Sequence, residues 1–278
     1  MVVIKKKGMI LRKKEVAKET LEVSLPTELS IPARNVGDYS MLLFGEKKIG
    51  KTTLASKFDK ALFLMLEPGG RALEIYQKPV KNWQEFKKYV SLLQKDKTFK
   101  TIVVDTVDIA YKMCVDYICQ KLVITHLSEM EWGKAWTAAR DEFDSGIVKL
   151  LKTEKGVIFI SHAAEKEITT RTGDSYHRIS PTMSNQAREI LEGIVDIWAY
   201  YGYEKKERYL WVEGNEHISA GHRLETRFKY TDGSPIAEIP MGTSSKEAHE
   251  NFIKAFENQL QKGGTIVPKK KILVIRKH

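Results

Sequence analysis

A chain of 278 residues with 42% hydrophobic and 29% charged side chains has room for one large α/β domain or two small ones, and its composition is that of a globular protein rather than a disordered one. No stretch reaches the roughly 20 apolar residues that a membrane-crossing helix needs, and no charged-then-apolar leader opens the chain; a cytoplasmic protein without membrane association is expected. The net charge of +10 comes from the ends: residues 1–20 hold seven Lys or Arg against two Glu, residues 262–278 hold six and no acid, and 33 basic and 34 acidic side chains remain between them. Two cationic arms of this kind favour a polyanion, nucleic acid above all, as partner.

In chain order, residues 1–36 are basic and then mixed, and Pro26 and Pro32 interrupt any long element, so an irregular segment is expected. The apolar run 39–44 predicts a strand and 53–58 a helix. Between them, residues 45–52 read G-x-x-x-x-G-K-T, a phosphate-binding loop whose backbone N–H groups curl around phosphate oxygens. Its expected nucleotide contacts are Gly45, Glu46, Lys47, Lys48, Ile49, Gly50, Lys51, Thr52 and Thr53. Gly45 and Gly50 supply positive φ, Lys51 reaches the β- and γ-phosphates, and the Thr52 hydroxyl ligates Mg²⁺.

Residues 61–66 predict a strand buried on both faces, ending in Glu67-Pro68-Gly69-Gly70. A helix over 82–94, a strand over 101–105 and an amphipathic helix over 107–122 follow. Further helical stretches are expected at 132–152, 184–192 and 245–260, and strands at 156–161, 194–201, 208–212 and 224–230. Residues 162–183 lack periodicity and predict a long loop, a length usual for functional segments. Strands alternating with helices over the first 160 residues imply a mostly parallel sheet covered on both faces, with antiparallel strands added at the C-terminal edge. The division expected is a basic segment 1–36, one nucleotide-binding domain 37–262 and a basic tail 263–278. Cys114 and Cys119 sit in one helix on different faces and read as two reduced, buried thiols.

Phosphoryl chemistry also needs a metal carboxylate and a group that orients water. Asp105, at the end of the 101–105 strand, fits the first role together with Thr52, making these two the expected Mg²⁺ residues. Glu67 and Asp108 compete for the second role. A strand end fixes its acid more firmly than a helix start, so Glu67 is preferred. His162 follows the fourth strand on the same edge, where it can touch the γ-phosphate and pass nucleotide state to the segment beyond.

On the motifs at 45–53, 64–69, 103–108, 132–134 and 159–162, the chain resembles phage-encoded P-loop proteins with a RecA-like core over roughly residues 36–235; their best-described members are ATPases of single-strand annealing and recombination. The resemblance implies a RecA-like P-loop NTPase fold, ATP and Mg²⁺ as ligands, and catalytic roles for Lys51, Glu67, Asp105 and His162. His162 stands where such proteins typically carry another polar side chain, often Gln. It further implies that the segment after His162 faces single-stranded DNA through Lys166, Arg171, Tyr176, His177 and Arg178. It implies a ring or filament as well, in which Lys205, Lys206, Arg208, Arg223 or Arg227 is the cation given to a neighbour's nucleotide. The function expected is ATP-dependent single-strand binding in phage recombination, inside the host cytoplasm, with a single-strand-binding protein as a further partner. The alternatives are a replicative motor, namely a helicase or loader, and a nucleotide-dependent switch or small-molecule kinase.

Overall fold

The computed structural model describes residues 25–171 and 173–262. Residues 25–32 belong to a separate unit, are exposed and carry no helix or strand; residues 33–262 fall in the second. Most of both basic arms lies outside the described residues.

The apolar runs read from the sequence become β1 (Ser40–Gly45), β2 (Ala61–Met65), β4 (Thr101–Asp105), β5 (Gly156–Thr169) and β7 (Ile197–Glu204), joined by β3 (Tyr76–Pro79) at the edge. They pair in parallel in the order β3-β2-β4-β5-β1-β7. The antiparallel strands β8 (Glu207–Trp211) and β10 (Glu238–Pro240) extend the sheet beyond β7, and the two-residue β9 (Gly221–His222) also pairs with β7. The sheet is thus mostly parallel with antiparallel strands at its C-terminal edge, as expected for a RecA-like core. Its decisive feature is that β5 lies between β1 and β4. The strand that carries the phosphate loop and the strand that ends in Asp105 are therefore separated by one strand.

Residue parity along each strand splits the core into two layers. Leu42, Phe44, Leu64, Ile102, Val104, Val157 and Phe159 face α2 (Trp83–Leu93), α3 (Val107–Leu122), α4 (Lys134–Leu151) and α5 (Asn185–Ile194). Met41, Leu43, Phe63, Val103, Ile158 and Ile160 face α1 (Lys51–Ala55) and α6 (Ser245–Phe256). Both cysteines are free and buried; Cys114 joins the larger core and Cys119 a small cluster beneath α3 and α4, so they occupy different faces.

Four expectations need correction. Residues 162–183 are not a loop: β5 runs on to Thr169 and pairs antiparallel with β6 (Ser175–Pro181), from Ala163↔Pro181 to Thr169↔Ser175. A ribbon with polar side chains on both faces has no hydrophobic alternation to read. Residues 224–230 are not a strand, because Phe228 adopts φ 54° and turns its ring against Phe252 and Phe256 of α6. The first helix is only five residues long, and α6 stops at Phe256. β3, exposed along its whole length, gives no apolar signal and was not expected.

Gly146, inside α4, offers a test of the larger core. Helix propensity alone would make Gly146→Ala stabilising by roughly 0.5–1 kcal/mol. A Cβ there would sit 2.5 Å from Trp83 Cζ2. That ring is fully buried, stacked at 4.8 Å on Phe86 and 5.7 Å on Phe143, and its Nε1 donates to Glu142 Oε1 at 2.9 Å. The alanine variant is expected to lose about 1–3 kcal/mol in equilibrium urea denaturation; a variant as stable as the parent would mean that the ring yields freely.

Candidate active site

Parallel pairing sets the strand tips level. Gly45 of β1 pairs with His162 of β5, Asp105 of β4 with Ile160 of β5, and Met65 of β2 with Asp105. The Asp105 carbonyl accepts from the N–H groups of Leu66 and Glu67 at 2.7 and 3.3 Å, which fixes the Glu67 backbone beside it. Lys51, Thr52, Glu67, Asp105 and His162 thereby line one cleft of about 250 Å³, with Lys48, Gly50, Thr53, Met65, Pro68, Gly69, Gly70 and Ile160.

Within the phosphate loop, Gly50 has φ 112° and Lys48 φ 67°, the turn geometry that lets successive amides face one centre. Gly45 does not adopt positive φ as expected; it is needed for another reason. A Cβ there would lie 2.1 Å from the Tyr201 carbonyl oxygen on β7, so only glycine lets the loop leave the sheet at this point. The Lys51 ammonium donates to Gly45 O at 2.8 Å and Glu46 O at 2.7 Å and is 5% exposed.

The Thr52 hydroxyl donates to Asp105 Oδ2 at 2.8 Å. Glu67 accepts from the Thr106 hydroxyl at 2.7 Å through Oε1, while its Oε2 lies 3.6 Å from His162 Nε2. Asp108, the competitor of Glu67, does not line the cleft; it accepts from Ser161 Oγ at 3.1 Å and Thr182 Oγ1 at 2.5 Å, and so ties α3 to the base of the β5–β6 hairpin. Sequence reasoning missed Thr106 and Thr182, whose parts depend on which side chain faces them across the fold and leave no local signal.

The residues expected to meet DNA do not act as one group. Lys166 pairs with Arg178 and Ile168 with Tyr176 on one face of the hairpin; Glu165 and Glu167 share the other face with His177, whose Nδ1 is 3.8 Å from Glu165 Oε1. Arg171 lies exposed in the turn. The charge that looks balanced along the chain is sorted by strand alternation into a basic face and an acidic one. Of the five cations considered for a neighbour's site, Lys205 and Lys206 form the exposed β7–β8 turn. Arg223 donates to the Gly193 carbonyl, and Arg227 sits over the Phe256 ring at 4.4 Å. Arg208 donates to Gly242 O at 3.2 Å, and its Nη1 lies 3.7 Å from where a Gly50 Cβ would be, beside its own chain's phosphate loop.

Residues 38–224 match the family model described as an AAA domain, a span covering both the phosphate loop and the three strand-tip residues. The chain belongs to the AAA domain family. The SPbeta prophage-derived uncharacterized protein YorG of Bacillus subtilis (strain 168) is 26% identical over 255 residues, covering 86% of this chain and 73% of that one. Among solved structures, a KaiC-like protein from the hyperthermophilic archaeon Pyrococcus horikoshii OT3 aligns with a TM-score of 0.42 at 14% identity, over 75% of this chain and 87% of the other. Among the described residues, no helix is long and apolar enough to cross a membrane.

Family membership implies a nucleotide and usually Mg²⁺, and the cleft fits both. Burial pushes the Lys51 ammonium down to about 8 despite the nearby carboxylates of Asp105, Asp108, Glu67 and Glu46; phosphate oxygens would add counter-charge to a dehydrated cation that now contacts two neutral carbonyls. His162 Nδ1 is buried without a hydrogen-bond partner. Burial also raises the Asp105 carboxyl above its usual range, with the Thr52 bond pulling the other way. A hydroxyl beside a carboxylate is the hard-oxygen donor set that suits Mg²⁺ shared with phosphates.

The depressed Lys51 fixes the sign of a pH effect. Free protein holds this group half neutral at about pH 8, whereas bound phosphates favour the ammonium, so binding takes up a proton above that pH. Titration calorimetry of ATP in two buffers of different ionisation enthalpy is expected to show uptake of most of one proton at about pH 9 and little at about pH 6. Affinity should fall as pH rises past Lys51's titration. Unchanged uptake in Lys51→Ala would assign the proton elsewhere.

Proposed function

We propose that this protein binds ATP with Mg²⁺, hydrolyses it, and couples hydrolysis to single-stranded DNA held by the β5–β6 hairpin, serving phage recombination by strand annealing or exchange. The observation that carries this reading is the place of His162: it approaches Glu67 through Nε2 and is also the residue at which β5 passes from the parallel sheet into the hairpin. A change at the end of the nucleotide therefore acts on the first residue of the arm.

Lys51 neutralises the phosphates and the loop amides orient them. Thr52 and Asp105 would hold Mg²⁺, which when bound spreads the charge that builds on the phosphate oxygens. Glu67, held by Thr106, orients the attacking water and accepts its proton. Lys166 and Arg178 present cations to a phosphodiester backbone and Tyr176 presents a ring. The prophage origin of the relative named above supports the phage setting. A ring or filament would bring the exposed Lys205–Lys206 turn to a neighbour's nucleotide, and the basic arms and a single-strand-binding protein are further proposed contacts.

Steady-state ATP turnover with and without a single-stranded oligonucleotide tests the reading. Single strands are expected to change the rate of the parent protein. Glu67→Gln should lower turnover about 100-fold or more while keeping ATP binding, and His162→Ala should lose most of the DNA effect on whatever basal turnover it retains. A parent rate indifferent to DNA of any length or strandedness would contradict the coupling.

A further inference from the structure

Trp132 is 89% exposed and Trp136 45%, two large apolar rings in water at a position the nucleotide chemistry does not use. Trp132 adopts φ 57°, ψ 23°, a left-handed conformation that bulky residues enter at a cost; it precedes α4, whose first turn carries Trp136. Arg140 lies one turn beyond Trp136 on the same face of α4, since residues four apart share a helix face, and its Nη2 lies 3.9 Å from Glu189 Oε2 on α5. The preceding residue of α5, Arg188, is an electrostatic neighbour of Lys166 on the hairpin, and Lys166 pairs with Arg178 across the ladder. The Nε atoms of Arg178 and Arg188 are buried without a hydrogen-bond partner, and among the described residues no carboxylate lies within ion-pair distance of Lys166, Arg178 or Arg188. Because α4 runs directly into the amino end of β5, its first turn lies at the carboxyl edge of the sheet, the edge from which the hairpin projects.

The geometry points to a base-stacking platform formed by Trp132 and Trp136, continuous through Arg140 with a phosphate seat of Lys166, Arg178 and Arg188, that takes single-stranded nucleic acid. Rings that accept any base, and beyond the paired Arg140 three cations that no described carboxylate approaches within ion-pair distance, match a flexible polyanion better than they match a second protein surface. A half-buried seat for phosphate also explains why these guanidinium groups go without acidic partners: the missing counter-charge belongs to the ligand. The inference rests on the reading that single-stranded DNA is the polymer bound.

Fluorescence anisotropy of a labelled oligothymidine of about thirty nucleotides, titrated with the full chain at fixed salt, tests it. Trp132→Ala and Trp136→Ala are each expected to weaken binding about tenfold or more, with phenylalanine at the same positions restoring most of it. ATP turnover measured without DNA should stay at the parent value in all four variants. Alanine variants that bind as the parent does overturn the platform while leaving the proposed function standing. A parent protein that binds no single strand overturns both. If affinity is lost only because sedimentation shows the alanine variants falling to a smaller assembly, the patch is a self-association face and the platform is likewise overturned.

Discussion

The hydrogen bond from Thr52, at the start of α1, to Asp105 at the tip of β4 reaches across the end of β5, which separates β1 from β4, and the rest of the site depends on the sheet order that allows it. With β5 between β1 and β4, the phosphate loop and the Asp105 tip stand on either side of one strand's carboxyl end. The residue at that end, His162, therefore lines the same cleft as Lys51, Thr52, Glu67 and Asp105. Had β4 paired directly with β1, no element would run from the centre of the nucleotide cleft out of the fold. The pairing therefore sets the cleft and the root of the hairpin on one strand.

The hairpin root has a second attachment. Asp108 follows Asp105 closely in sequence but bonds Ser161 and Thr182, residues at the two roots of the hairpin, and Thr182 N–H donates to the His162 carbonyl. Two acids from one strand–helix junction thus have separate tasks: Asp105 faces the loop, and Asp108 anchors the arm. The arm itself is a ribbon two strands wide that carries β5 beyond the parallel sheet.

The parallel core was legible in the sequence because its strands are buried on both faces and read as unbroken apolar runs; β1, β2, β4 and the first half of β5 all follow from that pattern. The phosphate loop was legible for a different reason, since its spacing is a backbone requirement written directly in glycines and a lysine. Elements whose stability comes from pairing rather than burial left no such trace. The β5–β6 ribbon read as a loop, and β3 went unseen. Phe228 sits in an alternating run that resembles a strand, yet its positive φ follows from packing against α6, which lies far along the chain. At the site, strand-end residues Glu67, Asp105 and His162 could be placed on one edge from the sequence, whereas their partners Thr106 and Thr182, and the sorting of hairpin charge by face, emerge only once strand register is known.

The central claim is that Asp105 and Thr52 hold the metal for a nucleotide seated in the loop, and calorimetric ATP titration with and without Mg²⁺, in the parent and in Asp105→Asn, tests it most directly. The parent is expected to bind ATP in both conditions and far more tightly with the metal present. Asp105→Asn should keep the metal-free affinity, which the loop and Lys51 provide, and lose most of the gain from Mg²⁺. An asparagine variant with the full Mg²⁺ dependence, or a parent that binds no ATP, would contradict the account.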